Sequence, residues 1–385
     1  MTRLHVILAV GAAFLAAPAL AQSGSGLCTP SLAEIDASVA KTLAQGSPGM
    51  AVAVGKGGRV LLSRGYGFAD LEHRAPVTRD TVFSLASITK QFTAAALLLL
   101  AEEGKLKLDE PVSKYVPELP QGRRVTLYQL LVQTSGIPDY AEDPAGSSTK
   151  SVAKTPAEML AWISRLSPPL QFEPGSKWAY SNSNYALLGL IAERVSGEPL
   201  SALFQRRLFT PAGLRNTAFD DPADVVPHRA RGYRKDAKAP SGFANADWIS
   251  PTIPGPAGGL RSTAEDLLRW SDALHGGRIL KPASLRRLTR AGLLTNGRTT
   301  KFGMPEAWQK GLNSDYAMGF FLTPTAYGRR LSHGGDVDGF STWLAHYPER
   351  QVTIALLINS QSADMDKDRI EAAVFRSLEG RCTPG

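Results

Sequence analysis

The sequence predicts an α+β protein, an antiparallel sheet flanked by helices and interrupted by a mainly helical insertion. Three observations carry that expectation. Alternating segments punctuated by turns occur near both ends of the chain, the stretch from Ser87 to about 254 reads almost wholly as helix and loop, and an amphipathic helix stands just inside each end. Strands supplied by both ends must meet in one sheet, which brings the termini together. The expected organisation is a single unit over 22–385, with a sheet lobe from about 29–86 and 255–385 and a helical lobe from about 87–254.

Residues 1–21 carry one arginine, an apolar stretch and the small-residue pattern Ala19-Leu20-Ala21, the features of an export signal cut before Gln22. Cleavage leaves 385 − 21 = 364 residues, enough for one large core. A membrane anchor is the alternative reading, but the stretch falls short of a full span and no later run approaches one. The mature chain is therefore expected to be exported, periplasmic or secreted, with no integral membrane segment. A lipid anchor at Cys28 is disfavoured because "GSGLC" lacks the small residue that normally precedes a lipidated cysteine. Cys28 and Cys382 are the two cysteines; in an oxidising compartment a disulfide between them is the economical expectation, two separate thiols the alternative.

Taken in order, "SLAEIDASVAKTLAQG" opens with Ser31 and Glu34 as a capping box and repeats apolar residues at Leu32, Ile35, Val39 and Leu43. The next segment alternates and turns at Lys56-Gly57-Gly58, a hairpin over roughly 49 to 70. Helices follow at 88–103, after Thr126 with Gln129, after Thr155-Pro156 with Glu158, and at 183–196 before Gly197. Ser262 with Glu265 caps another. Strands then return in "YAMGFFLT", "RRLSHGG" and a hairpin of "FSTWLAHY" with "VTIALLINS". A last helix over 365–379 puts Ile370, Val374 and Leu378 on one face.

The formal charge is +8, yet the basic residues are scattered as pairs such as Arg123 with Arg124 and Arg286 with Arg287. Scatter argues for a solvated surface rather than a nucleic-acid partner. The densest stretch, "HRARGYRKDAK" at 228 to 238, reads as an ordinary basic loop before it reads as a dock for an anionic wall polymer. His73, His228, His275 and His346 lack ligand spacing, so no metal is implied, and no phosphate-binding glycine loop appears.

Ser-x-x-Lys occurs four times: Ser38 with Lys41, Ser87 with Lys90, Ser147 with Lys150, and Ser151 with Lys154. Ser38 lies mid-helix, where its hydroxyl would face solvent or bond back to the backbone, and the 147–154 pairs sit in a polar loop. Only Ser87 follows an apolar lead, "TVFSLA", and begins a long apolar helix. At a helix N-terminus, burial and the positive dipole end both lower the proton affinity of Lys90, so a neutral amine can take the proton of Ser87. Read alone, Ser87 equally caps a helix whose Lys90 snorkels outward.

Two further features bear on that choice. Tyr180 and Asn182 stand in a loop just before an apolar helix, a phenol able to relay protons and an amide able to bind a substrate amide; a packed tyrosine and a capping asparagine are the bland alternative. If 329 to 336 is a strand, His333 and Gly335 share one side, the glycine leaving room for a ligand against the backbone, while Asp336 points away. A glycine-rich turn with a surface histidine is the alternative.

In this order Ser-x-x-Lys, Tyr-x-Asn and His-x-Gly resemble the serine hydrolase superfamily of class C β-lactamases, D-alanyl-D-alanine carboxypeptidases, D-aminopeptidases and related esterases. The resemblance extends through "LYQLLVQTSGIPDY", "FEPGSKWAYSNSNYALLGLIAE" and "AGGLRSTAEDLLRW". It implies a β-lactamase/transpeptidase-like fold, an acyl-enzyme on Ser87, Lys90 as activating partner, and Tyr180 as general base and later acid. It further implies that Asn182 orients the substrate amide, that His333 and Gly335 bind substrate, and that the backbone amides of Ser87 and Asp336 form an oxyanion hole. The implied substrates are D-amino-acid amides or peptides of cell-wall origin, small esters or β-lactams, with no cofactor; a silent penicillin- or wall-binding module is the rival. This chain departs from the family in reading Gln133-Thr134-Ser135-Gly136 where histidine often leads, and in placing a carboxylate at 336.

Overall fold

The computed structural model describes residues 32–43, 46–361 and 365–379. The expected signal, Cys28 and Cys382 lie outside the described residues. Seven antiparallel strands form the main sheet: β1 (Met50–Lys56), β2 (Arg59–Tyr66), β3 (Asp315–Tyr316), β4 (Phe321–Thr325), β5 (Gly328–Val337), β6 (Phe340–Tyr347) and β7 (Val352–Ile358), in the order β3-β4-β5-β6-β7-β1-β2. β7 pairs with β1, setting Met50 opposite Ile358 and Lys56 opposite Val352, and this ladder joins the two ends of the chain.

Alternation assigns each strand residue to one of two cores. Met50, Val52 and Val54 of β1, with Ile354, Leu356 and Ile358 of β7, pack under two helices, α1 (Leu32–Thr42) and a C-terminal helix at Lys367–Glu379, through Ile35, Val39, Ile370 and Val374. The other face presents Ala51, Ala53, Ala355 and Leu357 to the larger core. Those small side chains let helices approach closely. Three helices of that core matter for the site: α2 (Thr89–Glu102), α3 (Asn182–Ser196) and α4 (Ala264–His275), with the C-terminal helix becoming α5. Every residue of α2 from Thr89 to Leu100 is buried, so the helix is enclosed on all sides, polar residues at its start and apolar ones from Ala94 on within the larger core.

The capping boxes at Thr126 with Gln129 and Thr155 with Glu158 form as their sequences predict. The box expected at Ser31 lies outside the described residues, and the cap expected at Ser262 is displaced by one residue. Thr263 caps α4 by accepting from the Asp266 amide, because Ser262 is held extended in a strand, Leu260–Ser262, that pairs with Phe83–Ser84 and with Ala218–Phe219. The middle of the chain is also less uniformly helical than expected. Tyr233–Lys235 and Phe243–Asn245 form a small sheet with Ser360–Gln361; strands of two or three residues are too short to show alternation. "YAMGFFLT" is two strands rather than one. It breaks at Gly319, whose φ is +81° and whose Cβ, if present, would stand 3.0 Å from the Lys90 carbonyl oxygen. Ser38 is buried, not solvent-facing. In the basic stretch Arg229, Arg231 and Arg234 are matched by Asp220, Glu72 and Asp236, as in an ordinary loop. No helix among the described residues is long and apolar enough to cross a membrane.

Candidate active site

Ser87 sits in a tight turn between a strand and α2. The strand Phe83–Ser84 ends, Leu85 donates its amide to the Leu260 carbonyl at 2.8 Å, and a 3-10 turn over Ala86–Ile88 runs straight into the helix. Ala86 occupies the left-handed region with φ of +47°, a conformation that costs a non-glycine residue about 1–3 kcal/mol unless its surroundings fix it. They do: Thr342 donates its hydroxyl to the Leu85 carbonyl at 2.8 Å from β6.

Gly335 completes that grip, in a way the sequence did not suggest. A Cβ on it would stand 2.4 Å from the Leu85 carbonyl oxygen and 2.9 Å from the Ser87 amide nitrogen. The space left by the missing side chain is filled by the serine's own turn. The glycine therefore admits the backbone of 85–87, and the expectation that it leaves room for a ligand is corrected. β5 does run through 329–336 as predicted, with His333 buried and Asp336 exposed.

Lys90 is wholly buried. Its Nζ lies 3.1 Å from Ser87 Oγ, 2.7 Å from Asn182 Oδ1 and 2.8 Å from the Ala257 carbonyl oxygen. Carbonyl oxygens only accept, so two N–H bonds of the amine are committed to them. The third position faces the serine hydroxyl. A neutral amine fits: two protons for two carbonyls and a lone pair for the Ser87 proton. Burial pushes the amine down to about 7, against the attraction of the Asp139 carboxylate.

On the opposite side the Tyr180 hydroxyl donates to Ser87 Oγ at 2.9 Å. Burial first, and then the neighbouring Tyr316, hold the phenol well above its ordinary range, so it rests as a neutral donor. His333 stands behind it, ring centroids 6.1 Å apart. Its Nδ1 lies 2.5 Å from the Gly334 carbonyl oxygen and its Nε2 3.3 Å from the Tyr316 hydroxyl. Burial, reinforced by the charge of Lys90, lowers the imidazole to about 3, and it is uncharged at ordinary pH.

The structure brings Ser87, Lys90, Tyr180, Asn182 and His333 together. It adds a group that sequence reasoning missed, Asp139, whose Oδ2 accepts from Asn182 Nδ2 at 2.9 Å. "SGIPDY" contained it, but only the fold turns this loop toward Lys90. Gln133, in place of the family's frequent histidine, accepts the Ser181 amide and the Asn184 side chain, so it braces the start of α3.

A cleft of about 370 Å3 opens beside Ser87, lined by Tyr140, Trp162, Asn182, Ile253, Asp336 and Asp338 among others. The Asp336 carboxylate accepts from the Ser341 hydroxyl at 2.5 Å. Lys150 reaches the same cleft but is engaged by Asp338 at 2.7 Å and Asp247 at 3.2 Å.

Residues 35–377 match the family described as Beta-lactamase. The chain belongs to the β-lactamase family. It is 29% identical over 312 residues to the putative penicillin-binding protein PbpX of Bacillus subtilis (strain 168), an overlap that spans 80% of this chain and 69% of that one. Among solved structures it is similar to a D-stereospecific amidohydrolase from Streptomyces sp., with 28% identity, a TM-score of 0.75 and coverage of 90% of this chain and 99% of that one. It is also similar to the D-amino acid amidase of Ochrobactrum anthropi SV3 complexed with L-phenylalanine amide, with 26% identity, a TM-score of 0.73 and coverage of 90% and 97%. The architecture is that of the β-lactamase/transpeptidase fold, and the general class of this β-lactamase-family chain is serine hydrolase.

Proposed function

We propose that this is an exported hydrolase acting through a Ser87 acyl-enzyme on an amide or ester bond. The observation that carries the reading is the unbroken line Tyr180 hydroxyl, Ser87 Oγ, Lys90 Nζ, with two carbonyl oxygens filling the amine's other positions. As Oγ bonds to the substrate carbonyl carbon, its proton passes to neutral Lys90. The carbonyl oxygen gains negative charge and faces the backbone amides of Ser87 and Asp336. The bond to the leaving group then breaks, that group taking the proton held by Lys90 through the Tyr180 phenol. Water attacks the resulting ester, gives a proton to the same pair, and the acid product leaves as Ser87 Oγ recovers its hydrogen. Because burial holds the phenol protonated, Lys90 is the base of the first step and Tyr180 the relay.

Charge orders the candidate substrates. His333 is neutral, and among the described residues lining the cleft the one Lys or Arg is Lys150, which is matched by two aspartates, so a substrate carboxylate meets no unmatched cation among them. D-amino-acid amides and peptides with a free amine, and small neutral esters, stand ahead of β-lactams, in keeping with the amidohydrolase and amidase similarities. The rival, a silent penicillin-binding module, draws on the penicillin-binding relative.

Labelling purified protein with a fluorophosphonate and with fluorescent penicillin separates them. A fluorophosphonate adduct lost in Ser87→Ala, with release of ammonia from a D-amino-acid amide, supports the hydrolase. Lack of any Ser87-dependent adduct overturns it, and a stable penicillin adduct without turnover of any ester, amide or lactam selects the binder.

A further inference from the structure

The geometry points to Asp139 as a positioning residue: a buried anion that, through Asn182, holds the Lys90 amine in place and keeps it a strong enough base for Ser87. This rests on the Ser87 acyl-enzyme reading.

Asn182 bridges the two groups, Oδ1 at 2.7 Å from Lys90 Nζ and Nδ2 at 2.9 Å from Asp139 Oδ2. A carboxylate only accepts, so Asp139 fixes the NH2 end of the amide toward itself and thereby turns the oxygen toward the lysine. Asp139 is itself held: it caps the turn Tyr140–Glu142, its Oδ1 accepting from the Ala141 amide at 3.0 Å, and it is 8% exposed. Each carboxylate oxygen thus satisfies a donor of its own, in two part-buried bonds.

The charge matters as well as the shape. Lys90 is faced by Ser87 on its own turn, by Asn182 and Tyr185 of α3, by the Ala257 carbonyl, by the Tyr180 ring at 4.8 Å and by neutral His333 of β5. Glu142 acts on Asp139, and Asp336 on Tyr180. Among these, Asp139 is the anion that opposes the effect of burial on the amine. A general base works best with a proton affinity near the operating pH. Burial lowers the amine, and the Asp139 charge opposes that lowering. Burial raises the Asp139 carboxyl in turn, opposed by the Ala141 amide and by Lys90.

The test is the pH dependence of Ser87 acylation by a fluorophosphonate in wild type, Asp139→Asn and Asp139→Glu. Asparagine keeps an oxygen for Asn182 and discards the charge. The acid limb of the rate is expected to move down by about one pH unit, with a plateau about tenfold lower, and Asp139→Glu to return the limb toward wild type. A folded Asp139→Asn protein with an unmoved limb overturns the proposal. Should that variant not fold, carbon-13 NMR of wild type labelled at lysine Cε and aspartate carboxyl carbons decides. The Asp139 carboxyl must respond in the step that titrates Lys90, and its indifference there also overturns the proposal. A wild type with no Ser87 adduct would instead defeat the acyl-enzyme reading, while the NMR arm still reports on the pair.

Discussion

Lys90 and Lys150 each stand three residues after a serine, Lys90 wholly buried among carbonyl oxygens and Lys150 about a third exposed between two carboxylates. Burial lowers the first to about 7; the hydrogen bond that Lys150 donates to Asp338, chief among its partners, raises the second. Lys150 lines the cleft, whereas Lys90 borders it through Ser87. The four-residue pattern thus fixes spacing and nothing more, and the partners decide whether the amine is a base or a tether.

The largest separation is expected between Lys90→Met and Lys150→Met. The first should slow Ser87 acylation by about 10²–10⁴-fold, the second by less than about tenfold, read from fluorophosphonate labelling rates; equal losses would erase the distinction between the two lysines. Moving the serine away from Lys90 should be nearly as damaging. Gly335→Ala sets a Cβ 2.4 Å from the Leu85 carbonyl oxygen, and a displacement of this kind costs about 100-fold, whereas at Gly334 the new Cβ would meet Trp343 at an ordinary 3.4 Å and leave the rate close to wild type.

The pH responses should diverge next. Acylation needs the neutral amine, so its rate should fall about tenfold per unit below pH 7 and level off above it. Stability carries the complementary sign. Lys90 has a folded value of about 7 and an ordinary one of 10.5, so the unfolded chain binds the extra proton between them and stability rises with pH across that window. Lys90→Met should flatten this rise in thermal melts. Lys150, shifted upward, contributes stability that is full below 10.5 and is lost only as pH climbs past its folded value. His333, at about 3, makes the fold weaken as pH drops from 6.5 toward 3. The smallest effect is the tether itself. Lys150→Ala should change stability by no more than about 1 kcal/mol and act chiefly on KM for bulky substrates, since it frees the cleft wall at Asp338 and Asp247.

Much of the fold was legible because local chemistry and tertiary context agreed. Thr126 with Gln129 and Thr155 with Glu158 form both halves of their capping boxes, and the alternation of β1 and β7 divides their side chains between the two cores. Ser262 misled because two overlapping pairs, Ser262 with Glu265 and Thr263 with Asp266, offer the same cap and strand pairing chose between them. Ser87, Lys90, Tyr180, Asn182 and His333 could be named since each belongs to a motif. Asp139 could not. Its partner lies 43 residues away, and an aspartate between Pro138 and Tyr140 reads as turn chemistry until Asn182 is folded over it. Gly335 was noticed for the right reason, a missing side chain, but only the folded chain reveals what occupies the vacancy.

The contact between bare strand backbone at Gly335 and the loop carrying the serine has a last implication. The Ser87 turn is registered to the sheet directly, main chain against main chain, so on the proposed acyl-enzyme reading the opposite wall around Tyr140, Trp162 and Ile253 is free to diverge in shape and polarity without detuning the chemistry. A scaffold wired in this fashion can exchange its clientele by editing one bank of the channel alone.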